Sequence, residues 1–229
     1  MKKLLAFTSI FILLATIAGC KQTVVGNGNK QTETRNVDAF ETIRMVGNFQ
    51  LNINIRPTQQ IVVTADSNLI PLIQTEVHNK TLIVQAKGHY DLQSAQTPQL
   101  DITVNRLADI GIIGRGSVNA SGINSDTFEI KLLGSGNINV AGKSQKIDIK
   151  VVGSGQVVAN NLIAEEAEVQ VAGTSNVSVY ASKKLNVRVS GAGKVNVYGE
   201  PREVEQKISG SGEVIIGTPN AQKNSTQNP

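Results

Sequence analysis

The residues whose spacing most suggests chemistry are short Gly-x-Gly units, because glycine-rich loops bind phosphate in several nucleotide-binding folds. Five such units and a degraded copy, Gly173-Thr174-Ser175, recur every 18 to 20 residues. Phosphate binding requires a helix directly after the loop, whereas an alternating apolar run that predicts a strand follows each unit. We therefore predict a structural role at chain corners rather than nucleotide binding. The corner glycines are Gly114, Gly116, Gly134, Gly136, Gly153, Gly155, Gly173, Gly191, Gly193, Gly210 and Gly212.

Other side chains that could carry chemistry are scattered. His78 and His89 do not have the spacing of metal ligands, and Cys20 is the only cysteine. Carboxylates are numerous, but they fall in single file at outward positions of predicted strands. We expect no metal ion, no cofactor and no catalytic residue. The enzymatic alternative is a polysaccharide-active β-helix enzyme, whose site would need clustered carboxylates with a Lys or Arg in a groove.

The elements that must position these glycines are strands that alternate apolar and polar residues. A repeat of about 19 residues is one rung of a solenoid. We predict an all-β fold, a parallel β-helix with rungs of about 19 residues and a more irregular N-terminal part. Its inward side chains would stack in columns from rung to rung. One such column is Val118, Ile138, Val157, Val177, Val195 and Val214.

The outward positions also form columns. An acidic to polar column contains Asp109, Glu129, Asp148, Glu168, Asn186 and Glu205. A basic column beside it contains Lys131, Lys150, Gln170, Arg188 and Lys207. The simplest interpretation is a charge-balanced, solvated surface, since opposite charges on neighbouring columns offset repulsion within each column. The alternative is a binding face formed by Lys131, Lys150, Arg188, Lys207, Tyr180 and Tyr198.

The N-terminus predicts a targeting segment. Lys2 and Lys3 precede an apolar stretch over 4–18 that is short for a membrane span. The sequence Ile17-Ala18-Gly19-Cys20 is similar to a bacterial lipobox, which implies cleavage before Cys20 and acylation of its sulfur. The net charge of +4 includes Lys2 and Lys3, so the mature chain has 20 basic and 18 acidic residues. That balance does not favour nucleic acid as a partner.

We divide the chain into five segments. The predicted lipoprotein signal peptide covers 1–19 and a polar, flexible tether covers 20–34. An N-terminal β head region follows over 35–105, and regular solenoid repeats occupy 106–217. A polar tail over 218–229 is predicted to be disordered, because it has no apolar period.

Several segments together resemble a known family. Residues 35–43 (RNVDAFETI) resemble the entry to the head GIN domain of a family of auto-transporter adhesin-like proteins from Bacteroidetes-type bacteria. The segment 65–69 (ADSNL) and the Gly-Ser-Gly repeats strengthen the resemblance, which covers about 35–217. It implies a β-helical fold, a cell-envelope location and an adhesive role, and it supplies no catalytic residues.

These observations favour a cell-envelope lipoprotein that binds a glycan or protein ligand without catalysis. We expect a membrane anchor through the lipid, on the outer membrane. Two alternatives remain: the polysaccharide-active enzyme, and a structural spacer or self-assembling envelope element.

Overall fold

The computed structural model describes residues 22–218. The signal segment, Cys20 and the tail beyond residue 218 lie outside this range. A short 3-10 turn, Ile70–Leu72, is the only helical element within it. The strands are β1 Gln22–Val25, β2 Lys30–Arg35, β3 Thr42–Gly47, β4 Gln50–Ile55, β5 Gln60–Asp66, β6 Ile73–His78, β7 Thr81–Ala86, β8 Tyr90–Gln93, β9 Gln99–Val104, β10 Asp109–Gly114, β11 Ser117–Gly134, β12 Asn137–Gly153, β13 Gln156–Gly173, β14 Asn176–Tyr180, β15 Lys184–Gly191, β16 Lys194–Tyr198, β17 Glu203–Ser209 and β18 Glu213–Thr218.

The strands from β10 onward form a parallel β-solenoid, which confirms the predicted fold class. Each rung consists of a strand segment before a corner and another after it, and equivalent segments of successive rungs pair in parallel. The predicted column from Val118 to Val214 is confirmed by this register. Strands β11, β12 and β13 each continue from one rung into the next.

Glycine is required at the corner for two reasons, which Gly134 illustrates. Its φ is +133°, a left-handed conformation that side-chain-bearing residues rarely adopt. A Cβ at this position would also collide with the carbonyl oxygen of Gly114 in the rung below. At the second glycine of each Gly-x-Gly unit the backbone is not left-handed, and in the degraded unit Ser175 replaces this glycine. The Ser175 side chain is fully buried and donates a hydrogen bond of 2.9 Å to the Gly153 carbonyl.

The N-terminal part belongs to the same solenoid, although its rungs are not stacked in chain order. Strands β3 and β4 lie directly under β10 and β11, and β7 and β9 lie under β3 and β4. The chain thus builds one rung, then the rung below it, and then returns above both. Gly47 occupies the corner position beneath Gly114, with a φ of +116°. Buried apolar residues from Phe40 to Val197 form one continuous core, so the predicted boundary at 105/106 does not separate two cores.

Antiparallel strands cap this end of the solenoid. Strand β6 pairs with β7, β5 pairs with β9, and β2 pairs with β5. The Arg35 guanidinium fastens the cap because it donates hydrogen bonds of 2.6 Å to the Ile73 carbonyl and 2.8 Å to the Ile70 carbonyl.

The flexible tether predicted over 20–34 is corrected for its described part. Residues 22–25 form β1, which pairs in parallel with β8, and residues 30–35 form β2. Most of their side chains are exposed, so these strands need no apolar alternation. Backbone hydrogen bonds to an existing strand suffice to order a polar edge strand, and that partner is not visible in the local sequence.

Candidate binding surface

One side of the solenoid, which we call the first face, consists of the outward side chains of the segments just before the corners. The acidic residues Asp109, Glu129 and Asp148 are register partners in one column, and Lys131 and Lys150 are register partners in a second. The two columns are neighbours because their residues are two apart on the same strands and so point to the same side. A third, apolar column lies beside the corner glycines. It contains Ile113, Leu133, Val152 and Ala172. Successive side chains in a column are about 4.8 Å apart, the spacing of paired strands.

Most cations of the basic column are paired with neighbouring acids. Lys131 Nζ lies 2.6 Å from a Glu129 oxygen. Lys150 Nζ lies 3.4 Å from both Glu129 and Asp148, and so bridges two rungs. The charge of Asp148 is the main reason why the pKa of Lys150 is raised. Burial raises the pKa of Glu129, but hydrogen bonds and charges from Lys131 and Lys150 outweigh it, so the net pKa is lowered.

The network thins out toward the C-terminal rungs. Glu168 accepts a hydrogen bond from Gln170, which is the main cause of its lowered pKa. Arg188 approaches Glu168 only to 3.8 Å, and in residues 22–218 Lys207 makes no ion pair within 4 Å. The charge-balanced surface expected from the sequence therefore describes the Lys131 and Lys150 rungs better than it describes the last two.

The first face also contains an ion pair that the sequence analysis missed. The Arg44 guanidinium of β3 donates two hydrogen bonds, of 2.6 and 2.8 Å, to the Asp109 carboxylate of β10. These bonds are the main reason why the pKa of Arg44 is raised. The side chain crosses Gly111, where a Cβ would meet it closely. The sequence did contain a signal for this pair. Val46-Gly47 matches Ile113-Gly114, and aligning the two segments places Arg44 below Gly111 and near Asp109.

A groove of about 440 Å³ lies on the first face between the basic column and the corners. It forms because large apolar side chains such as Leu133 are followed in the next rungs by Ala172 and Ser190. Among the described residues that line it there is no carboxylate. Its principal lining residues are Lys150, Val152, Gln170, Ala172, Arg188, Ser190 and Lys207. Three of the four predicted cations therefore share one groove, whereas Lys131 does not line it.

The two tyrosines of the predicted binding face lie elsewhere. Tyr180 and Tyr198 end strands β14 and β16, are register partners and are half-buried. They belong to the second face, which we define as the outward side chains of the segments after the corners. The structure thus does not bring them together with the cations. The second face also holds amide side chains in register, and Asn119 donates a 3.4 Å hydrogen bond to Asn52 in the rung below.

A wider groove of about 950 Å³ follows the segments that connect the second face of one rung to the first face of the next. It is lined by both signs of charge, including Asp126, Lys143 and Glu165. His78 lies on β6 of the cap and lines neither groove, and its ring Nε2 contacts a Glu76 carboxylate oxygen at 3.4 Å. Over the described range 22–218 we find no cluster of three or more His, Cys, Asp or Glu that could hold a metal ion.

No helix within residues 22–218 is both long and apolar enough to cross a membrane.

Comparison with solved structures shows the same fold in bacterial proteins of low sequence identity. A "putative adhesin" from Bacteroides fragilis NCTC 9343 has a TM-score of 0.71 at 17% identity, covering 84% of this chain and 99% of that one. A "putative lipid binding protein" from Parabacteroides distasonis ATCC 8503 has a TM-score of 0.53 at 22% identity, covering 86% and 100%. A "putative adhesin" from Parabacteroides merdae ATCC 43184 has a TM-score of 0.51 at 19% identity, with the same coverage.

A search of curated proteins gives no match. The model of one family matches residues 39–201, which include β3 to β16, the corner glycines up to Gly193, and the part of the groove lined by Lys150 to Ser190. This range is more than half of the chain. The chain therefore belongs to the family described as "Putative auto-transporter adhesin, head GIN domain".

Proposed function

We propose that this chain is a non-catalytic binding protein of the cell envelope, and that the groove on its first face binds an acidic glycan. The observation that carries the proposal is the lining of this groove, which combines Lys150, Arg188 and Lys207 with an apolar floor and no carboxylate. Its membership of an adhesin family supports a binding role.

The groove has the chemistry that an acidic sugar polymer needs. Arginine and lysine side chains bind carboxylate and sulfate groups through charge-assisted hydrogen bonds. The apolar floor at Val152 and Ala172 can pack against the C–H surface of a sugar ring. The groove runs across several rungs, so its cations are spaced along one direction, as an extended polymer requires.

The proposed membrane anchor is the acylated Cys20. Its support is the lipobox-like sequence 17–20 after an apolar segment, together with the position of this cysteine as the only one in the chain. Two or three acyl chains would hold the protein firmly, since each buried methylene contributes about 0.8 kcal/mol. Metabolic labelling with a radioactive fatty acid tests it: the wild type should incorporate label and Cys20→Ser should not.

The binding proposal is tested with residues 21–229 on immobilised polymers: uronate-containing and sulfated glycans, neutral glycans, and vesicles of anionic lipid. We expect binding to the acidic glycans. The double variant Arg188→Gln/Lys207→Gln should weaken it about tenfold or more, because two charge-assisted contacts are lost. Lys131→Gln is the matched control, since Lys131 stands in the same column but outside the groove.

Two results would overturn the proposal. Equal binding by the double variant and the wild type would exclude the groove as the binding site, and binding to lipid vesicles alone would exclude a glycan ligand.

The same incubations test whether the protein is catalytic. Unsaturated uronate products or new reducing ends would show that the protein is an enzyme.

A further inference from the structure

The two ends of the solenoid differ in how completely they are covered. Strands β17 and β18 form the last described rung, and each pairs with a neighbour on one side only, β15 and β16 respectively. Their inward side chains are exposed: Val204 by 45%, Ile208 by 41% and Ile216 by 40%. The equivalent side chains one rung below are buried. An exposed strand edge with apolar side chains is a template for pairing with another strand.

The opposite end is covered by antiparallel strands, although β6 and β2 also pair on one side only. Strand β6 covers the edge of β7, and β5 with β2 covers the edge of β9. Val25 of β1, exposed by 66%, is the only exposed large apolar side chain among residues 22–112. Of the two edge strands there, β2 carries the charged residues Lys30, Glu33 and Arg35, and β6 carries Glu76; charged residues on an edge discourage further strand addition. These polar edges do not match the apolar edge of the C-terminal end, which disfavours head-to-tail stacking of two copies.

The segment that follows β18 is a poor cover for the open end. Residues 219–229 contain a single apolar side chain other than proline, that of Ala221. Covering Val204, Ile208 and Ile216 requires apolar surface of matching size, because burial of apolar area provides the driving force. This segment does not provide it.

The sequence of β17 is complementary to itself. If two copies of β17 pair antiparallel about Gln206, Glu205 faces the partner's Lys207, and Lys207 faces the partner's Glu205. Val204 then faces the partner's Ile208 on the inward side, so apolar residues meet apolar residues. A register shifted by two residues would place Glu205 opposite the partner's Glu205, or Lys207 opposite the partner's Lys207. Such like-charge pairs are unfavourable in a sheet.

We propose that the C-terminal end of the solenoid docks a second copy of this chain, with β17 paired antiparallel to the partner's β17 about Gln206. An interface of this kind is isologous, so it closes as a dimer and does not grow into a fibre. The dimer shares Lys207 with the glycan groove, but it does not require a glycan to bind there.

Analytical ultracentrifugation of residues 21–229, which include every described strand and the whole core, tests the dimer. The wild type should change from monomer to dimer as its concentration rises, with no larger species. Glu205→Lys or Lys207→Glu should weaken the dimer about tenfold, because each replaces two attractive pairs with two repulsive ones. The double variant Glu205→Lys/Lys207→Glu should restore it, because the pairs are attractive again. Far-UV circular dichroism verifies that each variant is folded.

Three results would overturn the dimer: a monomer at every concentration, polymers of increasing length, or a failure of the double variant to recover the dimer after the single variants lose it. Failure of this proposal is distinguishable from failure of the glycan proposal. Arg188→Gln changes the groove but lies outside β17, so it should leave the dimer intact. Glu205→Lys acts on the dimer at a residue that does not line the groove.

Discussion

The capped N-terminal rungs and the regular C-terminal rungs reach the same architecture by different chain paths. In the regular part each rung follows the previous one, and glycine corners repeat at nearly constant spacing. In the capped part, β3 and β4 pair with strands more than 60 residues away, and the chain forms the β6–β7 hairpin between its rungs. The inward side chains nevertheless stack in register throughout.

This difference shows that a solenoid core requires successive rungs whose inward side chains lie in register, and that a repeated sequence is not needed to achieve this register. The regular rungs are matched by a repeated corner whose backbone conformation only glycine adopts easily. The capped rungs are matched by antiparallel neighbours and by side chains such as Arg35 and Arg44, which connect distant parts of the chain. The repeat can lengthen by copying, whereas the cap ends growth in one direction.

The largest effect should come from removing core side chains in either part. Phe128→Ala in the regular part and Leu82→Ala in the capped part each delete a fully buried side chain. Each should lower the free energy of unfolding by about 3–4 kcal/mol. Because the core is continuous, both should shift a single cooperative transition in urea. Two separate transitions would show that the two parts fold as independent domains. The exposed Val152→Ala is the control and should change little.

The next largest effect should come from the corner. Gly134→Ala places a Cβ against the Gly114 carbonyl oxygen at a φ of +133°, and should cost about 3 kcal/mol. Gly28→Ala is a matched control, because its φ is also positive, at +74°, but its Cβ would meet nothing within 4 Å. It should cost about 1 kcal/mol. Thermal unfolding measures both, and equal costs would show that the left-handed backbone alone explains the corner glycines.

A smaller effect is expected at the junction of the two parts. A double-mutant cycle with Arg44→Met and Asp109→Asn should give a coupling energy of about 1 kcal/mol, since the pair is bidentate and only partly exposed. The same cycle on the exposed pair Lys183 and Glu165 should give less than about 0.5 kcal/mol. If the two coupling energies are equal, Arg44 does not stabilise the junction more than a surface ion pair does.

The smallest effect should appear in the pH dependence of stability. The pKa values of Glu129 and Glu168 are lowered in the folded protein. Their contribution is therefore complete above the unfolded glutamate pKa of about 4.3, and it is lost as the pH falls through the folded values. Urea unfolding should show this loss below about pH 4.3, and Glu129→Gln/Glu168→Gln should reduce its steepness. An unchanged slope in the double variant would show that other carboxylates cause it.

The candidate site was predictable in part. The acidic and basic columns followed from the repeat, because residues 18 to 20 apart in a rung sequence must become neighbours. Two features were not predictable. Tyr180 and Tyr198 belong to a different face because the corner redirects the chain, and the groove exists because Ala172 and Ser190 stand where the lower rungs have larger residues.

The sequence by itself determined the regular rungs, their register and the glycine corners. Period-2 alternation and the repeat length are local properties, and they are present in every repeat of about 19 residues. Only the tertiary structure decided the order of the capped rungs, the strands at 22–25 and 30–35, and the open C-terminal end. These depend on pairing between distant segments. Such pairing is selected by complementary edges and by the entropy of closing long loops, and neither is encoded in a local pattern.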